Sequence, residues 1–419
     1  MKRNTLIKEV IILSGGLGTR LKEAVPDLPK TMAPVAGHPF LTYVIRYLLS
    51  QGIERFIFSL GHKHEVVESF LRDEYPYLNY ICVREVQPLG TGGAIRFALK
   101  VSTQRDVLIV NGDTLFNVEL HLLRKKHIEE QAECTLALKP MRQFERYGVV
   151  ETEENGLIKK FTEKKFIENG NINGGVYLLN KVRFLKKSFP KVFSFEKDYL
   201  AKEVEAQLFF GLEQDHYFVD IGVPVDYTKA QTELKQPALK LNEVDNSWTL
   251  FLDRDGVINV NKNDSYVLNP GEFIFIIGAK EALVKLSKVF GRIIVLTNQR
   301  GIGKGLMDEK ALAEIHQHML NEIGEAGGRI DAVYYCPVDD PKYHDRKPNP
   351  GLALEAANMF PDILFAKSIM AGDKMSDMQL GRNIGAFTVM IPSSQSGDFN
   401  SHPDVDLAFS SLKELAENI

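Results

Sequence analysis

Two carboxylates stand two residues apart at the end of an apolar run in "TLFLDRDGVINV" (249–260): Asp253 and Asp255. A carboxylate at a strand end can attack phosphorus and form an aspartyl phosphate. A second one beside it can protonate the leaving alcohol and then activate water. Carboxylates repel phosphate, so cations must accompany them. Lys347 and Arg346 in "DRKPNPG" supply fixed charge, and Asp253, Asp255 and Asp373 (in "MAGDKMSDM") are candidate Mg²⁺ ligands, with Lys374 a candidate phosphate contact. Thr297 and Asn298 in "VLTNQRGIGKG" follow another apolar run and can hydrogen-bond phosphate oxygens.

A different phosphate site is legible near the start of the chain. In "LSGGLGTRL" (13–21), Gly15, Gly16 and Gly18 permit close backbone approach, so that their N–H groups can line an anion nest between Leu13 and Thr19. Arg20 adds charge, and Lys30 in "LPKTMAPVAGHP" can neutralise a second phosphate. No Gly-Lys-Ser/Thr closes the loop, so the Walker pattern is absent.

The elements that must position these residues follow one rhythm twice. Apolar strands alternate with amphipathic helical stretches over the first 230 residues or so ("EVIILSGG", "RFIFSLG", "DVLIVNGD"), and the rhythm restarts at "TLFLDRDG". This predicts two α/β domains, each with a largely parallel sheet and ligands beyond the strands' carboxyl ends. We place them at 1–234 and 248–419, with 235–247 as a polar linker. No repeat of the kind that builds a β-helix is visible. A chain of 419 residues is long enough for two cores, and a net charge of −4 gives no reason to expect nucleic acid or a membrane surface as partner. Three scattered cysteines suit a reducing cytosol, "MKRNTLIKEVIILSGG" reads as a first strand rather than a signal peptide, and the expected location is cytoplasmic. His62 and His64, two apart in a loop, read as surface residues; His316 and His318 cannot share a helix face. Oligomeric state is not legible.

From about residue 8 to 232 the motifs resemble those of the sugar-1-phosphate nucleotidyltransferases, which implies a Rossmann-like, GT-A-like fold. The resemblance implies that "VQPLGTGGA" (86–94) reads the base, through Gln87 and Gly92, and that Asp113 in "VNGDTLF" and Asp220 in "YFVDIGVPVDY" hold Mg²⁺. It also implies sugar and phosphate contacts at Gly148, Glu163, Lys164, Asn173 and Gly175. An oxygen of the sugar 1-phosphate would attack the α-phosphorus of a nucleoside triphosphate, with Lys164 gripping the incoming phosphate and Arg20 and Lys30 facing the leaving pyrophosphate. Gln87 stands where many members carry Glu, so the base remains open.

Residues 247–392 resemble the haloacid dehalogenase phosphatases without a large cap, in the branch of heptose-bisphosphate and histidinol-phosphate phosphatases; the carriers are "DRDGVIN", "TNQRGIGKG", "YYCP", "RKPNPG" and "GDKMSDM". Many of that branch hold a structural zinc after "YYCP". Here only Cys336 and His344 are at hand, and tetrahedral zinc takes four ligands, so no zinc is expected. Together the two resemblances imply removal of the 7-phosphate from a heptose 1,7-bisphosphate, followed by conversion of the heptose 1-phosphate to GDP-heptose. Another sugar or nucleotide, a histidinol-phosphate substrate, or one domain serving as a non-catalytic sensor are the alternatives.

Overall fold

Successive side chains of the strand Glu9–Ser14 enter different cores: Val10 and Ile12 on one face of its sheet, Ile11 on the other. Strands covered on both faces read as unbroken apolar runs. Thr249–Leu252 behaves alike, with Leu250 and Leu252 in one core and Phe251 in the other. In the computed structural model, which describes residues 7–16, 25, 27–262, 265–393, 399 and 402–419, these strands belong to two sheets. One lies in the unit Met1–Lys235 and the other in Gln236–Ile419.

The first sheet has seven strands, in the order Phe209–Glu213, Cys134–Phe144, Ile167–Asn180, Asp106–Asn111, Glu9–Ser14, Arg55–Leu60 and Tyr80–Arg84. Glu9–Ser14 lies between two parallel neighbours, one reached by each crossover direction, so its carboxyl end opens at a switch point where ligands bind. The sheet is largely parallel, as expected, with one strand reversed. Ile167–Asn180 runs antiparallel to both its neighbours. What connects it to Cys134–Phe144 is a small two-stranded ribbon rather than a crossover helix, and without a crossover the chain returns antiparallel.

The second sheet is parallel throughout, in the order Ala332–Cys336, Arg292–Asn298, Thr249–Leu252, Ser368–Gly372, Phe387–Met390 and Leu407–Ala408. Thr249–Leu252 again occupies the switch point. Among the described residues between Gly256 and the helix Ala279–Val289, only the short 3-10 turn Pro270–Glu272 and isolated bridges occur, so the site has no large cap.

The polar stretch read as a linker is shorter than its composition suggests. Leu239 is buried in the second unit's core, and Leu241, Val244 and Trp248 pack against it; Trp248 also stacks on Phe387 at 5.7 Å. Apolar side chains scattered singly through a charged stretch still find a core. Among the described residues, no helix is long and apolar enough to cross a membrane.

Candidate active sites

A cavity of about 970 Å³ opens at the carboxyl ends of the first sheet's central strands. Leu13, Gly15 and Gly16 line it, as the glycine-rich loop predicts; Gly18, Thr19 and Arg20 lie outside the described residues. Gly15 packs closely on its neighbours: a Cβ there would stand 2.9 Å from Oε1 of Glu85, whose carboxylate would have to shift, and a Cβ on Gly61 would meet the Gly15 carbonyl at 2.7 Å.

Asp113 follows the strand Asp106–Asn111, and Asp220 closes the strand Phe218–Asp220. The pairing of Phe218–Asp220 with Thr114–Phe116 brings the two carboxylates together, although 107 positions separate them in the chain (220 less 113). Lys30 stands between them, its Nζ 2.5 Å from Asp113 Oδ2 and 3.5 Å from Asp220 Oδ1. Gly222 N–H donates to Asp220 Oδ1 at 2.7 Å, and the Tyr147 hydroxyl lies 3.5 Å from Oδ2. Two converging carboxylates are the donor set that Mg²⁺ takes from proteins when substrate phosphates supply the rest.

Gln87 is the expected base reader. It is exposed and does not line the cavity, whereas Glu85, Val86 and Pro88 do. The strand ends at Arg84, and the loop beyond it turns Glu85 inward to accept from the Leu89 N–H at 2.9 Å. Burial pushes the Glu85 carboxyl above its ordinary value against that hydrogen bond. Gly92 is likewise not in the cavity wall, which its neighbours Gly90 and Thr91 form. Gly92 lies under the Phe193 ring, and its N–H donates to the Phe193 carbonyl. His62 and His64, read as surface residues, line the cavity.

The expected sugar contacts are less gathered. Gly148 packs on the Thr162 carbonyl, and Glu163 and Lys164 are exposed. Neither of the charged pair lines the cavity. Asn173 uses its amide within its own strand: Nδ2 donates to the Tyr177 hydroxyl and Oδ1 accepts from Gly175 N–H, at a shift in strand register. Gly175, at φ 74°, lets that strand approach Asn111, which does line the cavity.

The second site is buried. Asp253 leaves the strand Thr249–Leu252 and accepts from the Arg254 N–H at 2.8 Å. Lys347, from another loop, places Nζ 2.8 Å from Asp253 and 2.7 Å from Asp377, and donates to the Leu296 carbonyl. Asn298 does not reach outward as expected. Its amide exchanges hydrogen bonds with the Lys347 backbone and so holds the lysine, while Thr297 accepts from Gln299. Arg346 pairs with Asp339 at 3.1 Å, and Lys374 is exposed with Nζ 3.9 Å from Asp373.

Asp253, Asp373 and Asp377 offer oxygens within 4.8 Å of one another, the one such group among the described residues. Asp255, also expected at the metal, is not in it. Both Asp255 oxygens are engaged by Arg254 at 2.9 Å, and Asn259 and Gln299 each donate at 2.9 Å. Asp377 takes the place in the group that we gave to Asp255. It follows Asp373 by four in "GDKMSD", the first turn of the helix Met375–Ile384, and that spacing was its signal. Gly256, at φ 92°, admits Asp373: a Cβ there would lie 2.3 Å from the carboxylate.

The charges do not balance within this group. Burial raises the Asp253 carboxyl; Lys347 opposes the rise, and Asp377 and Asp373 add to it. Burial raises Asp373 too, and its Oδ1 is buried without a hydrogen-bond partner. Lys347 is raised because the two carboxylates outweigh its own burial. Three carboxylates around one buried ammonium leave negative charge that a divalent cation would offset, so the residues fit such an ion.

These geometries can be set beside known proteins. Residues 9–237 match the family described as Nucleotidyl transferase. The chain belongs to that family. Residues 344–415 match the HAD-hydrolase-like family. Within the nucleotidyl transferase family, the first unit is similar to D-glycero-alpha-D-manno-heptose 1-phosphate guanylyltransferase of Aneurinibacillus thermoaerophilus, 49% identical over 227 residues, which are 54% of this chain and 98% of the relative. The crystal structure of HddC from Yersinia pseudotuberculosis, 33% identical, covers 55% of this chain and 100% of its own, with a TM-score of 0.51. The second unit is similar to D-glycero-alpha-D-manno-heptose-1,7-bisphosphate 7-phosphatase of Mycobacterium tuberculosis, 39% identical over 170 residues, or 40% of this chain and 90% of the relative. The chain is thus a fusion of a nucleotidyltransferase with a HAD-type phosphatase, and both halves are enzymes of families that use divalent metal.

Proposed function

We propose that the two units catalyse consecutive steps: hydrolysis of the 7-phosphate of D-glycero-α-D-manno-heptose 1,7-bisphosphate, then transfer of guanylyl from GTP to the heptose 1-phosphate. The observation that carries this is their presence on one chain. The phosphatase relative is named for removing the 7-phosphate, which leaves the 1-phosphate for which the transferase relative is named. The unit placed second in the chain acts first.

In the phosphatase site, Asp253 attacks phosphorus and the sugar oxygen leaves with a proton from Asp255. Water, losing its proton to Asp255, then releases phosphate from Asp253. Mg²⁺ on Asp253, Asp373 and Asp377 would offset charge on the phosphoryl oxygens. Asn298 keeps Lys347 in place beside the nucleophile.

In the transferase site, the work is alignment and neutralisation of two anions. Mg²⁺ on Asp113 and Asp220 would neutralise triphosphate charge. We assign Gly15, Gly16 and Lys30, together with Arg20, to the triphosphate, and Lys164 to the sugar phosphate. Glu85 supplies the reading of the base. Guanine offers two adjacent donors on its pairing edge, which a carboxylate can accept together; adenine presents an acceptor there. The three cysteines, all free, suit a cytoplasmic setting.

The test incubates the full chain with Mg²⁺, the α-anomer of the bisphosphate and each of GTP, ATP, CTP, UTP and dTTP in turn, with products identified by mass spectrometry. GDP-heptose from GTP alone is the expected result. Phosphate release with no nucleotide sugar would remove the transferase half of the proposal.

A further inference from the structure

Arg254 separates the two catalytic aspartates in sequence, yet nothing above gives it a task. It is 1% exposed. Its Nη2 donates to both oxygens of Asp255 at 2.9 Å and to Gln299 Oε1 at 3.2 Å; its Nε lies 3.3 Å from Asp255 Oδ1. Its Nη1 meets His316 Nε2 at 3.1 Å. A buried guanidinium has only donors, and leaving one without an acceptor is costly, so the acceptors around it decide how the fork is turned. Asp255 and Gln299 belong to the site that the fork serves, for Gln299 also donates to Asp255. His316 is the acceptor from outside, on the helix Glu309–Glu325. Since Arg254 cannot accept, His316 Nε2 must present a lone pair. Burial, with the Arg254 charge beside it, holds the His316 pKa down at about 3 and keeps that lone pair available.

We infer that His316 is a positioning residue of the phosphatase: by accepting from Arg254 it sets the guanidinium fork that aims Asp255 at the leaving-group oxygen. The inference rests on the reading of Asp255 as proton donor. In that step an Asp253 oxygen bonds to phosphorus, the bond from phosphorus to the sugar oxygen breaks, and a proton taken up by Asp255 passes to that oxygen. His316 touches none of these atoms. Against burial, Arg254, Asn259 and Gln299 hold the Asp255 carboxyl below its ordinary range in the free site.

A misaimed acid matters only where the leaving oxygen needs a proton. A sugar alkoxide does; nitrophenolate leaves without one. In the full-length protein, His316→Leu is expected to lower kcat for phosphate release from heptose 1,7-bisphosphate by at least about tenfold, with KM within about twofold, because general acid catalysis contributes about 10²–10⁴. Turnover of p-nitrophenyl phosphate should change by less than about threefold, and His316→Gln, whose amide oxygen can accept, should recover most of the loss. Equal losses on both substrates would make His316 merely structural and overturn the inference, as would no loss on either or no recovery with Gln. Asp255→Asn keeps the two failures apart. If that variant still hydrolyses the sugar phosphate, the proton-donor assignment falls; if it does not while His316→Leu hydrolyses it at the unaltered rate, the inference alone falls. Turnover of p-nitrophenyl phosphate monitors the fold of the second unit, and pyrophosphate release by the first monitors the amount of intact chain.

Discussion

Each unit sets one lysine between two aspartates, but the two settings differ in their access to water. Lys30, Asp113 and Asp220 have side chains 17%, 33% and 20% exposed, with Asp113 in the wall of an open cavity; Lys347, Asp253 and Asp377 are 2%, 8% and 1% exposed. The difference follows from the chemistry. The first site must admit two large anions and hold them in line, so its charges remain reachable. The second makes a bond to its own carboxylate, and a buried nucleophile among fixed charges reacts without reorganising solvent. One arrangement of residue types thus serves two purposes, distinguished by depth.

The sharpest way to break the comparison is to remove each lysine. Lys347→Met leaves two buried carboxylates unpaired and should cost about 3–5 kcal/mol in the unfolding of the second unit, along with phosphatase activity. Lys30→Met, at a partly exposed pair, should cost under about 1 kcal/mol while transferase turnover falls. Denaturant titration of the two variants, with both activities followed, checks this. Equal stability losses would erase the distinction drawn from depth.

A smaller effect belongs to the open site. Glu85→Gln replaces a charged acceptor and should reduce kcat/KM for GTP by about 10- to 100-fold, the worth of a hydrogen bond to a charged group at about 1.5–3 kcal/mol. Gln87→Ala, on an exposed side chain, should stay within about twofold. Initial rates across the nucleotides would decide between the two residues; the reverse ranking would restore Gln87 as the base reader.

The smallest effect is on pH dependence and belongs to the buried site. His316 has its folded pKa lowered to about 3 by burial first and then by Arg254, with Asp255 opposing. Below the ordinary histidine value the unfolded chain binds a proton that the folded one refuses. Stability is therefore fully present above about pH 6.5 and declines as pH falls toward 3. Between pH 6.5 and 5.5 the loss should be about 1 kcal/mol, and His316→Gln should remove it from the denaturant-derived stability curve. An unchanged slope in the variant would mean that His316 does not stay neutral in the fold.

How much of this the sequence disclosed depends on where each residue sits relative to an element's end. Asp253 and Asp373 close strands whose apolar runs are plain, so both are legible, and Lys347 stands in a marked turn motif. Asp377 is harder: it lies on a helix, where one acid among several polar residues looks like surface until the fold sets it beside Lys347. Glu85 and Gln87 have the same parity along the chain, and only the ending of the strand at Arg84 turns one inward and leaves the other exposed. His62 and His64 are solvent-accessible, as expected of a loop, and also line the cavity, which the sequence does not disclose. The reversed strand Ile167–Asn180 depended on what joined it to its neighbour, which strand composition does not disclose.

The central claim is that one chain holds two separate active sites for consecutive steps, and reciprocal inactivation tests it most directly. Phosphate release from heptose 1,7-bisphosphate and pyrophosphate release from heptose 1-phosphate with GTP are measured for Asp253→Asn and Asp113→Asn. The account predicts that Asp253→Asn abolishes the first and keeps the second, and that Asp113→Asn does the reverse. Loss of both activities in either folded variant, or persistence of both in Asp253→Asn, would contradict it.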